Sequence, residues 1–170
     1  MSRASAIFTS ALFSSVIAAS CSEATVGSSV APEFDVSNLC SDKSRDVWSG
    51  GADTFVDALD SKMTGENIYQ PATVIACNIW SEQSSERLKK SCSSGQPSME
   101  IQFAVAGMQT FWRLAFQKTE DVFGDSQMDI QTGILGLEVS SFSEEQKSEM
   151  ISDCEVKYED FMLTNFEGLN

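Results

Sequence analysis

Ile101, Val105, Met108, Trp112, Ala115, Thr119, Val122 and Phe123 recur at three- and four-residue spacing, so one apolar stripe runs for about six helical turns. The opening residues, Met99 to Phe103, also alternate like a strand, but the length of the stripe favours a helix. Ser93–Ser94–Gly95–Gln96–Pro97 marks a break before it and Gly124 a stop after it. An element this long must lie along a core of similar length. The fold class expected is therefore mainly α, a small antiparallel bundle of about four helices.

Three other segments supply the partners. Trp48, Ala52, Phe55, Val56, Leu59 and Met63 form a stripe in a candidate that begins near Ser44, and Gly50–Gly51 weakens its first turns by about 1 kcal/mol each. The helix is drawn at 46–63. Pro71 suits the first turn of the next, 71–91, with Val74, Cys77, Trp80, Ser84 and Leu88 inward. Ser143–Glu144–Glu145–Gln146 fits a capping box that opens the last, 144–166, with Met150, Ile151, Cys154, Tyr158, Phe161, Met162 and Asn165 on one side. The helix containing the long stripe spans 99–123. Between 125 and 142 the pattern is ambiguous. Two glycines, Gly133 and Gly136, disfavour a long helix, so a minor β-hairpin or a short crossing helix is expected there. Trp48, Trp80 and Trp112 stand 32 residues apart, but their flanks do not correspond, so they read as one core Trp on each of three helices rather than as a repeat.

Five cysteines lie at 21, 40, 77, 92 and 154. The last four are an even set suited to two disulfides in an oxidising compartment. Helix geometry limits their pairing. On one unbroken helix Cys77 and Cys92 stand about 22 Å apart, far beyond the roughly 7 Å that a disulfide spans between Cα atoms. In an up-and-down bundle Cys40 enters near Cys92, and Cys154 falls near Cys77. The expected bonds are Cys40–Cys92 and Cys77–Cys154. The alternative, Cys77–Cys92 with Cys40–Cys154, requires a helix break within Ser81–Ser85.

Met1–Ser2–Arg3 followed by the apolar stretch Ala6–Ala19 and small residues has the layout of a secretory signal peptide. The stretch is shorter than the roughly 20 apolar residues of a membrane-spanning helix. Ala18–Ala19–Ser20–Cys21 resembles a bacterial lipobox, and the resemblance covers only these first twenty-odd residues. It implies cleavage before Cys21 and diacylation of that cysteine; conventional cleavage after Ser20 or Ala24 remains open. Ser22 to Asn38 lacks a helical stripe and reads as a flexible tether. The expected organisation is thus a signal peptide at 1–20, a tether at 21–38 and an acidic helical domain at 39–170. Ser22 after the cysteine points to an outer-membrane lipoprotein, with a secreted protein as the alternative.

A formal net charge of -14 disfavours nucleic acid and anionic lipid surfaces as partners, so a membrane is expected to be met only through a lipid anchor. The one basic cluster, Arg87, Lys89 and Lys90, falls near a helix end, where it complements the helix dipole. With no histidine in the chain, a Ser-His-Asp triad, a Cys-His dyad and a histidine metal site are all excluded. Asp53, Asp57 and Asp60, and likewise Glu145, Glu149 and Asp153, share helix faces, as solvated acidic faces do; no calcium loop accompanies them. No catalytic residue, metal site or cofactor is predicted. The function expected is an exported, non-enzymatic, helical envelope module that binds an unknown protein partner. The alternatives are a freely secreted effector or inhibitor, and an extracytoplasmic hydrolase that uses carboxylates.

Overall fold

A computed structural model describes residues 36–65 and 68–166. A single 3-10 turn at Val36–Asn38 leads into five helices: α1 (Asp42–Lys62), α2 (Pro71–Ser94), α3 (Met99–Phe123), α4 (Asp125–Val139) and α5 (Glu144–Asn165). There is no strand among the described residues. The segment read as a signal peptide, Cys21 and most of the segment read as a tether lie outside those residues.

Local chemistry accounts for the helix boundaries. Ser41 accepts from the Ser44 amide at 3.1 Å and caps α1, which begins at Asp42, ahead of the expected start. Gly50 and Gly51 do not delay it, because Ala52, Phe55, Val56 and Leu59 in the following turns pack inward and offset their cost. Pro71 opens α2. Ser98 caps α3 through the Ile101 amide. At the start of α5 both bonds of the capping box form: Ser143 N donates to Gln146 Oε1 at 2.8 Å, and Gln146 N donates to Ser143 Oγ at 3.2 Å.

The fifth helix corrects the expectation of four helices with a minor hairpin. Gly133 and Gly136 sit within α4 on sides where nothing approaches within 4 Å. Met128 and Leu135, by contrast, turn into the main core at 1 % and 5 % exposure. Burying those two side chains is worth about 1.5–3 kcal/mol each, which outweighs the roughly 1 kcal/mol that each glycine costs a helix. Gly124, at φ 83, makes the corner between α3 and α4 in a conformation that favours glycine.

α3 runs through the middle and touches α1, α2, α4 and α5. Leu88 clusters with Ala106, Glu82 pairs with Arg113, and Ala72 shares a small hollow with Phe123. These contacts descend α2 as they climb α3, so the two are antiparallel. Trp48 stacks against Phe103 and Lys118 pairs with Asp60 at 2.7 Å, so α1 runs parallel to α3. Leu59, Val74, Trp80, Phe111, Trp112, Met128, Cys154 and Phe161 belong to one core cluster. Ser81 and Ser85 are buried in the polar half of α2, where their hydroxyls donate to the carbonyls of Asn78 and Ser81. This lets the helix continue where its inward face turns polar.

Three residues of the α3 stripe do not face the core. Ile101, Val122 and Phe123 are 53 %, 60 % and 41 % exposed. At the corner where α3 gives way to α4, residues 121–127 are all exposed. At the other end Gln102, not Ile101, points inward: its Oε1 accepts from Cys40 N at 2.9 Å and its Nε2 donates to Pro97 O at 3.0 Å.

Candidate functional site

The four cysteines of the helical domain form two bonds, Cys40–Cys92 with Cα atoms 5.2 Å apart and Cys77–Cys154 with Cα atoms 5.4 Å apart. Their surroundings differ. Cys77 and Cys154 are 1 % and 4 % exposed within the main core, whereas Cys40 and Cys92 are half-buried beside Leu39, Leu88 and Trp48. α2 is continuous through Ser81–Ser85, so Cys77 and Cys92 stand on opposite parts of one helix. The two bonds fit an oxidising, exported environment. No helix among the described residues is long and apolar enough to cross a membrane.

The acidic faces singled out in the sequence do not converge. Asp53, Asp57 and Asp60 are exposed along α1, and Glu145, Glu149 and Asp153 along α5. Asp60 pairs with Lys118 and Asp153 with Lys157. Among the described residues no three Cys, Asp or Glu side chains come close enough to hold a metal ion, and no carboxylate is buried. Lys147 pairs with Glu144 and holds its carboxyl below the usual range. Arg87, Lys89 and Lys90 are exposed, but the last turn of α2 contains no basic residue, so the cluster stands earlier than the position at which it would complement the helix dipole most strongly.

Two surfaces stand out instead. On α4, Ile130, Ile134 and Leu137 are 57 %, 45 % and 79 % exposed. Their spacing of four and three puts them on one outward row. α4 thus carries apolar residues on two faces, Met128 and Leu135 inward and these three outward. The helix contains Asp125, Asp129 and Glu138 but no Lys or Arg.

The second surface is a cleft of about 450 Å³ between α2 and α3, lined by Asn38, Glu82, Ser85, Glu86, Gln109 and Arg113 among others. Glu82 lies 3.6 Å from Arg113 across it. The sequence reading missed this grouping. Its one signal was the short link at 95–98, which folds α2 back along α3.

No protein-family model, curated protein or solved structure is significantly similar to the chain.

Proposed function

We propose that this chain is an exported, non-enzymatic envelope protein, held to the outer membrane by lipid on Cys21, whose helical domain binds a protein partner. The observation that supports the binding reading is the outward row Ile130, Ile134 and Leu137 on α4. A chain of net charge -14 has polar residues to spare for an outward face, and contiguous exposed apolar area commonly marks an interaction surface. Acidic residues on the same helix, with no basic ones, suit a partner whose apolar patch has a basic rim. The anchor reading rests on the apolar stretch before Cys21 and on the even cysteine set left once Cys21 is acylated. Two acyl chains suffice for stable membrane attachment.

The test has two arms. Intact-mass analysis of the membrane-purified protein is expected to show cleavage before Cys21, acyl chains on it and two disulfides; an unacylated mature chain would leave the freely secreted reading. A photo-crosslinking residue at Ile134 or Leu137 is expected to give a discrete adduct in the native envelope, and one at Asp53 none. Equal labelling at all three positions would defeat the partner-binding reading.

A further inference from the structure

A helix that packs against another helix receives its partner's side chains in holes, each framed by four residues at i, i+3, i+4 and i+7. Ile130, Gly133, Ile134 and Leu137 frame one such hole on the outward side of α4. Its three apolar members are 57 %, 45 % and 79 % exposed. Its floor is Gly133. Nothing among the described residues lies within 4 Å of the place a β-carbon would take there, and the same holds at Gly136 one turn on. A glycine inside a helix costs stability relative to alanine, and within this fold neither glycine makes room for a neighbour. A second helix laid along α4 would use that room, because small residues at a contact shorten the distance between helix axes.

Charge selects the occupant. Asp129 stands one turn before Gly133 and Glu138 one turn after Ile134, so the two acids flank the hole at opposite edges, and both are exposed. From Thr119 to Gln146 the chain holds no Lys or Arg. A second copy would bring the same acids to the contact, and residues 22–35 of this chain carry Glu23, Glu33 and Asp35 with no Lys or Arg. Neither complements the face. We infer that the hole receives an aliphatic side chain from a basic amphipathic helix of another protein, whose Lys or Arg residues flank that side chain and meet Asp129 and Glu138. The inference rests on the partner-binding reading above and names the class of partner. The row from Ile130 to Leu137 is about 10 Å long, so the contact is small and exchanges freely.

The oxidised full-length chain, labelled with ¹⁵N, is titrated with a helical peptide of Lys, Ala and Leu whose leucines form one stripe. Saturable shifts are expected across residues 129–138. A peptide of the same composition with its leucines scattered over all faces, and one with Glu in place of Lys, are expected to bind far more weakly. Gly133→Gln fills the hole from α4 itself and is expected to weaken binding about tenfold, the worth of one buried aliphatic side chain. It is also expected to raise the melting temperature, since glutamine is the better helix former and open space surrounds the position; a loss of binding is then not a loss of folding. Asp57→Asn on α1 should leave binding unchanged. Four results would each overturn the inference: Gly133→Gln binding as tightly as wild type; the scattered peptide binding as tightly as the striped one; shifts spread over the acidic faces of α1 and α5; or a dimer of the chain that Gly133→Gln dissociates, which would assign the hole to a second copy. Crosslinking in the native envelope separates this inference from the reading beneath it. An adduct at Leu137 that persists in Gly133→Gln leaves partner binding standing and sinks the helix in the hole, whereas no adduct at Ile134 or Leu137 sinks both.

Discussion

The hydroxyl of Tyr158 on α5 lies 2.5 Å from the point where a β-carbon at Gly107 of α3 would sit. The two helices come together there because α3 has no side chain at that position, and the Tyr158 ring then packs against Phe111 with centroids 5.3 Å apart.

Gly107→Ala is therefore expected to destabilise the fold. Alanine is the better helix former by about 1 kcal/mol, but forcing a methyl group against a packed phenol costs about 1–3 kcal/mol. In a Tyr158→Phe background the nearest atom becomes the ring carbon at 3.5 Å, an ordinary contact. The same substitution is then expected to be neutral or stabilising. Urea denaturation of the four proteins of this cycle checks it.

Tyr158 also sets an alkaline limit. Burial, with a smaller contribution from Glu159, pushes its phenol up to about 12, and burial together with Asp160 raises Tyr69 as well. The unfolded chain would deprotonate near pH 10. Burial of neutral Tyr158 thus contributes its full stability below about pH 10 and loses it as pH rises from there toward 12, by about 2–3 kcal/mol. The chain has two tyrosines, so the tyrosinate absorbance of the folded protein is expected to rise in two steps, both later than free phenol. Tyr158→Phe should remove the later step and flatten the decline in stability.

Gln102→Leu is expected to cost about 2–3 kcal/mol, because the Cys40 amide and the Pro97 carbonyl each lose a partner supplied by one side chain. Hydrogen exchange at the Cys40 amide should accelerate more than exchange within α5.

The two disulfides should open in order. Cys40–Cys92 is half-buried and Cys77–Cys154 is enclosed, so mild reductant is expected to free Cys40 and Cys92 first, as alkylation and peptide mapping would show. Loops of 52 and 77 residues contribute about 4 kcal/mol each in the chain-entropy treatment. Losing the inner bond to paired alanines should cost more than losing the outer one, because it also leaves a cavity in the core.

Much of this fold is legible as periodicity. The stripes of α1, α2 and α5 name residues that are buried or half-buried, and Ser143 and Gln146 announce the start of α5. What the stripes miss has a common cause. A stripe assigns a helix one inward face, but α3 is enclosed by four others, so Gln102, Gln109 and Thr110 are buried away from the apolar row. α4 misleads for the opposite reason. Its glycines weaken the helical signal while lying on faces that need no side chain, and its outward isoleucines blur the periodicity. The cleft is invisible at this level because Glu82 and Arg113 meet only once two helices are folded against each other.

The order of the cysteines along the chain has one more effect. The bond from Cys40 to Cys92 and the bond from Cys77 to Cys154 interleave, each beginning inside or ahead of the other's loop and ending beyond one of its ends. Any single cut of the backbone between Cys40 and Cys154, including cuts in the connections at 64–70, 95–98 and 140–143, is bridged by at least one of them. A protease that cuts once between Cys40 and Cys154 therefore releases nothing: the two pieces stay one molecule until a second cut or a reductant intervenes.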